Sequence, residues 1–201
     1  MRIIAPSSED EMVLAFLRAE VDSAEYHGII EETLSALGYT RAILDNADLR
    51  NPREKHARTV CLSRSRGYKQ NCGLFKGFPN NVIWQRVSLS SEELGQAKYI
   101  NQHVWVAASG NARLVSDGAR NLDAGALLES LKSKIEGIEA GVRIGRRPPE
   151  LILVGKGDGS ALVLAEGHSR ATAYVRAAAY LSDGVEAIMG ISPDMGDWYW
   201  Y

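Results

Sequence analysis

The sequence predicts an α+β protein whose first half is largely helical. Three observations point there. Apolar residues recur at helical spacing in segments 8–21, 26–37 and 126–138. Short runs rich in Leu, Ile and Val at 150–154, 161–165 and 185–191 have the length and composition of buried strands. The stretch Ala161–Arg176 also changes period in its middle, from a strand-like run to an Ala-rich helix with Tyr174, Ala177, Ala178 and Leu181 on one face.

Composition sets the bounds. At 201 residues, 45% hydrophobic and 24% charged, the chain has the make-up of an ordinary globular protein with one substantial core or two small ones. The formal net charge of -2 argues against bulk nucleic-acid affinity but leaves a local basic patch open. No apolar run reaches the roughly 20 residues a membrane span requires, and the N-terminus lacks a signal-peptide pattern, so a cytoplasmic address without membrane partners is expected. Cys61 and Cys72 lack metal-site or redox-pair spacing and read as unpaired thiols. His27, His56 and His103 are scattered and read as surface or core residues, not ligands.

Taken in order, Arg2–Ala5 reads as a short strand. Pro6-Ser7-Ser8 then offers a cap to an amphipathic helix carrying Met12, Phe16 and Leu17, with Glu9, Asp10 and Glu11 in its first turn. A second helix runs from Tyr26 to Leu37 and ends at Gly38. Arg41–Leu44 reads as a brief strand, and Asn51-Pro52 opens another helix. Between Arg50 and Lys69 seven cations face one acid, Glu54. This segment is either a solvated helix face and loop or a surface for phosphate. Leu74–Pro79 is aromatic and turn-rich, Val82–Leu89 alternates like a strand, and Ser90–Leu94 starts a capped helix. Tyr99–Ala107 is strand or helix, anchored by Trp105, and a boundary near Ser109-Gly110-Asn111 divides the chain into regions 1–110 and 111–201.

In the second region a helix over Ala126–Ile138, broken by Gly141 and Gly145, precedes Pro148-Pro149 and the strand Glu150–Val154. Gly155–Gly159 turns the chain back into Ala161–Ala165 as a hairpin, Ser169–Leu181 is helical, and Val185–Ile191 is the last strand. Glu166-Gly167-His168-Ser169-Arg170 is the strand-to-helix turn. Such a turn leaves backbone N–H groups without helical partners, which suits phosphate. Gly167 permits close approach, His168 and Ser169 can donate hydrogen bonds, and Arg170 offers a planar cationic fork. The plainer alternative has Ser169 capping the helix and Arg170 in solvent.

The order of helix, Pro-led strand, Gly-rich hairpin, Glu-Gly-His-Ser-Arg turn, helix and strand resembles the ParB/sulfiredoxin superfamily, over about Arg113–Ser192. That superfamily includes partition proteins, sulfiredoxins and ADP- or ATP-dependent free serine kinases, and the turn looks most like that of the kinases. The resemblance implies a small mixed sheet, a nucleotide site at Gly167, His168, Ser169 and Arg170, and ATP or ADP with Mg2+ as cofactors. The chain departs from sulfiredoxins in having no cysteine in the turn, and from partition proteins in the short stretch after Ile191. Its first half matches no motif of the kinases.

Three functions follow as expectations. The first is phosphoryl transfer or nucleotide hydrolysis, with Arg170 as clamp, Glu166 and His168 as catalytic groups, and an unidentified small-molecule phosphate acceptor. Glu166 could equally stabilise the helix start or pair with Arg170. The second is a non-catalytic module that senses a nucleotide or weakly grips nucleic acid through Arg50–Lys69 and Arg143, Arg146 and Arg147. The third is an interaction protein with a dead site. The tail Trp198-Tyr199-Trp200-Tyr201 needs more than one surface to cover it, because alternate strand side chains point in opposite directions. The chain's own first half, a second subunit of a homo-oligomer or a stacked base could each supply that surface.

Overall fold

A computed structural model describes residues 1–125, 128–147 and 149–201. Strand β1 (Arg2–Pro6) leads into helices α1 (Glu9–Glu20), α2 (His27–Ala36), α3 (Ala42–Asp45) and α4 (Pro52–Arg66). Strand β2 (Ile83–Leu89) is followed by α5 (Ser91–Gly95), α6 (His103–Ser109), α7 (Val115–Asn121) and α8 (Glu129–Arg143). Then come β3 (Leu151–Gly155), β4 (Val163–Glu166), α9 (His168–Arg176) and β5 (Val185–Ile191). The class is α+β, as the sequence predicts.

The strands form one mixed sheet in the order β1-β2-β5-β3-β4. β3 and β5 run parallel, with Leu151 beside Ala187 and Gly155 beside Ile191; the other three pairings are antiparallel. Every residue of β3 is buried, as befits a strand covered on both faces. The far edge of β4 is closed by Lys98, whose N–H donates to the Leu162 carbonyl and whose carbonyl accepts from the Leu164 N–H, both at 2.8 Å. Strands from either side of residue 110 thus share one sheet, and one core cluster runs from Met12 to Trp198. No described helix is long and apolar enough to cross a membrane.

Local chemistry sets the element starts. Ser8 and Glu11 form a reciprocal capping box at α1, and Ser90 and Glu93 form another at α5. Asn51 Oδ1 accepts from the Arg53 and Glu54 N–H groups, with Pro52 in the first turn of α4. Four boundaries differ from expectation. Arg41–Leu44 is not a strand: it leads into α3, whose buried Ile43 and Leu44 face the core while Arg18 Nε donates to the Leu44 carbonyl at 2.7 Å. Helix α8 continues through Gly141 to Arg143, because one glycine costs a helix only about 1 kcal/mol. Leu128 lies before α8 and is exposed, while Ala126, Leu127 and Pro148 fall outside the described residues. Helix α9 ends at Arg176, and Ala178–Tyr180 forms a separate 3-10 turn.

Trp198 and Trp200 are held by the chain's own first half, whereas the Tyr201 hydroxyl donates to the Ala161 carbonyl at 3.3 Å in the second. Trp198 is buried edge-on to Phe78, and its indole Nε1 donates to the Leu74 carbonyl at 2.6 Å. Trp200 Nε1 donates to the Gly73 carbonyl at 3.1 Å, whereas Tyr199 is exposed beneath the Lys76 ammonium. Gly77 is required where the two segments meet, since a Cβ there would lie 2.2 Å from the Asp197 carbonyl oxygen.

Candidate functional site

The Glu166–Arg170 turn joins β4 to α9 and forms one wall of a cleft of about 480 Å3. The opposite wall comes from the first half of the chain, with Arg18, Asp22, Glu25 and Tyr26 at and beyond the end of α1 and Arg66 at the end of α4. Leu131, Lys134 and Ile138 of α8 and Trp105 of α6 also line it. The volume suits a small-molecule ligand.

Gly167 makes the turn. Its φ of +99° is a left-handed conformation, and a Cβ there would lie 2.4 Å from Leu151 Cδ2 and 3.1 Å from Arg170 Nη2. The first intrahelical bond of α9 runs from the Ala171 N–H to the Gly167 carbonyl at 2.7 Å, so the N–H groups of His168, Ser169 and Arg170 precede the ladder. Among the described residues no side chain caps this end, Ser169 included.

Arg170 is not solvated. It is 8% exposed, and its Nη2 donates to the Glu150 carbonyl at 3.3 Å and to Glu166 Oε1 at 3.2 Å. Its buried Nε–H has no partner among the described residues. Glu166, half-buried, is therefore paired to Arg170, one of the two roles the sequence leaves open for it. The His168 ring lies near-parallel to Trp105 and Tyr99, at centroid distances of 5.0 and 6.0 Å, while Tyr99 and Trp105 are 4.7 Å apart. Those three distances set Tyr99 and His168 side by side against one face of the indole. Burial holds the imidazole neutral and pushes its pKa down to about 4; Arg66 and Arg170 add to this and Glu166 opposes it. Its Nε2 is buried without a partner among the described residues. The Thr172 hydroxyl fixes the turn from behind, donating to the His168 carbonyl at 2.8 Å and lying 2.7 Å from the Tyr99 hydroxyl.

Across the cleft, Arg66 pairs through its Nε and Nη2 with Glu20, lies over the Tyr26 ring with Cζ 3.7 Å from the centroid, and donates from Nη1 to the Tyr26 hydroxyl at 2.7 Å. Burial raises the Glu20 carboxyl to about 7, with Glu166 and Glu25 adding to the rise and Arg66 resisting it. Among the described residues no group of three His, Cys, Asp or Glu could hold a metal ion. Cys61 and Cys72 are free thiols, one buried and one exposed.

Most of the basic segment 50–69 is a solvated face, as the sequence allows: Arg50, Arg53, Lys55, Arg64 and Lys69 are exposed. Arg58 is fully buried between Asp10, at 3.1 Å, and Glu54, at 3.2 Å, and Lys69 pairs with Glu9. Only Arg66 of these cations lines the cleft. The sequence singles out Arg66 only as one cation of that segment and does not point to Arg18, Tyr26 or Lys134, because nothing local shows that residues 18–66 would line a cleft with residues 166–170. Compared with known proteins, the chain matches no protein-family model, no curated protein and no solved structure.

Proposed function

We propose that the chain is a nucleotide-binding protein that takes ATP or ADP in this cleft, with the phosphates at the N-terminus of α9, and acts in phosphoryl transfer or nucleotide hydrolysis. The observation that carries the reading is the unpartnered Nε–H of buried Arg170 beside three N–H groups that precede the α9 ladder. A buried guanidinium with an N–H unused among the described residues is a donor without its acceptor. Lys134 adds a point charge from α8. Mg2+ usually takes one or two carboxylates and completes its shell with phosphate oxygens and water, so Glu166 suffices as its protein ligand. To act on metal or as a base, Glu166 must first leave Arg170.

A second reading, a non-catalytic nucleotide sensor, is favoured by one observation: both catalytic candidates are engaged, Glu166 by Arg170 and the His168 ring by Trp105. One set of measurements separates the two. Calorimetric titration with ATP, ADP, GTP and CTP, with and without Mg2+, should give binding that weakens by about 1–3 kcal/mol in Lys134→Ala, the range for a lost charged hydrogen bond. Phosphate release abolished by Glu166→Gln supports the enzyme; binding without release supports the sensor. Absence of any nucleotide binding sinks both.

A further inference from the structure

The two arginines that line the cleft are anchored from opposite halves of the chain. Arg66 comes from the end of α4, and Arg170 from the first turn of α9. A guanidinium carries five N–H donors in a rigid plane. In Arg66 three are in use, two on Glu20 and one on the Tyr26 hydroxyl, which leaves one hydrogen on each terminal nitrogen. In Arg170 the Nη2 pair is in use on Glu150 and Glu166, which leaves the Nε–H and the Nη1 pair among the described residues. Each guanidinium is therefore held in place by some of its N–H groups and keeps others unused, a pre-organised arrangement that loses little freedom when an anion docks.

The acids on the Arg66 wall do not oppose such an anion in equal number. Asp22 is paired to Arg41, and Glu25 accepts from the Tyr26 hydroxyl. Glu25 keeps its charge in that contact, and Glu20, which is 3% exposed, is the direct competitor of an incoming anion for Arg66. Arg66 and the turn residues Glu166–Arg170 line the same cleft.

We propose that Arg66 is a second phosphate-binding arginine of the cleft, and that it selects ligands carrying a phosphate chain, nucleoside diphosphates and triphosphates, over monophosphates. The inference rests on the nucleotide reading above and deepens it. A monophosphate at the α9 N-terminus satisfies Arg170 alone; a second phosphoryl group supplies the oxygens that the unused N–H groups of Arg66 can bind.

Calorimetric titration of the full chain with ATP, ADP, AMP, inorganic pyrophosphate and inorganic phosphate tests it. The native chain should prefer ADP over AMP, and pyrophosphate over phosphate, by at least about tenfold, the scale of one charge-assisted hydrogen bond. Arg66→Lys keeps the charge but loses the fork, and should remove most of that preference while leaving AMP binding in place. Glu20→Gln removes the competing charge with little change of shape, and should tighten ADP several-fold without affecting AMP. This second variant is decisive by itself if Arg66→Lys does not fold. A preference for ADP that is unchanged in both variants overturns the role of Arg66 and leaves the nucleotide reading standing. Failure of ADP, ATP and pyrophosphate all to bind the native chain overturns the two together.

Discussion

Arg58 and Glu20 are charged side chains that the fold has taken out of water, and each has a measurable cost. Arg58 has no exposed surface and answers to Asp10 and Glu54. Arg58→Ala would leave Asp10 buried with no partner, so thermal unfolding should show a loss of about 3–5 kcal/mol. Glu20 and His168 make opposite contributions to stability against pH. Glu20 has its carboxyl raised from 4.5 to about 7 by burial, so between those values the folded chain holds more protons than the unfolded one and stability falls as pH rises. His168 is lowered from 6.5 to about 4, again by burial, so stability falls as pH drops through that window. Melting curves across pH 4–7 should therefore show Glu20→Gln gaining on the native chain as pH rises, and His168→Asn gaining on it as pH falls. None of this is legible in the sequence. The partners of Arg58 and Arg66 on α1 lie 48 and 46 residues away, and a cation's environment depends on what folds over it.

At the level of elements, the legible parts are those whose cause is local. The capping boxes at Ser8 and Ser90, the Asn51-Pro52 start and the alternation of β2 need only a few neighbouring residues, and all appear where the pattern places them. The turn at Gly167 is equally legible, since its period change and its glycine are both in the sequence. Arg41–Leu44 is not, because four residues carry too little periodicity to tell strand from helix, and tertiary burial of Ile43 and Leu44 decides it. The tail makes a testable element of its own. Trp198 fills a core site and donates to Leu74, so removing Trp198–Tyr201 should lower the melting temperature by several degrees, at about 2–4 °C per kcal/mol in a chain of this length. A truncated chain that melts at the native temperature would show that the first half closes without it.

For the whole molecule, the sheet ties both halves together. β2 belongs to the first 110 residues, yet its seven-residue ladder is with β5, from Ile83 opposite Ile191 to Leu89 opposite Val185. Neither fragment, 1–110 nor 111–201, contains both strands, so each expressed alone should lack cooperative thermal unfolding, while the full chain melts in one transition by circular dichroism and fluorescence alike. The same ladder bears on how the protein is made. β5 stands in the middle of the sheet but is the last of the five strands to be synthesised. At about 5–20 residues per second, β2 emerges some seconds before its partner exists. Throughout that interval Val87 and Leu89, and once β3 is made also Ile152 and Val154, have no β5 to pair beside, and they present the kind of apolar strand that chaperones hold on a growing chain. The order of translation thus leaves the middle of the sheet open until β5 leaves the ribosome.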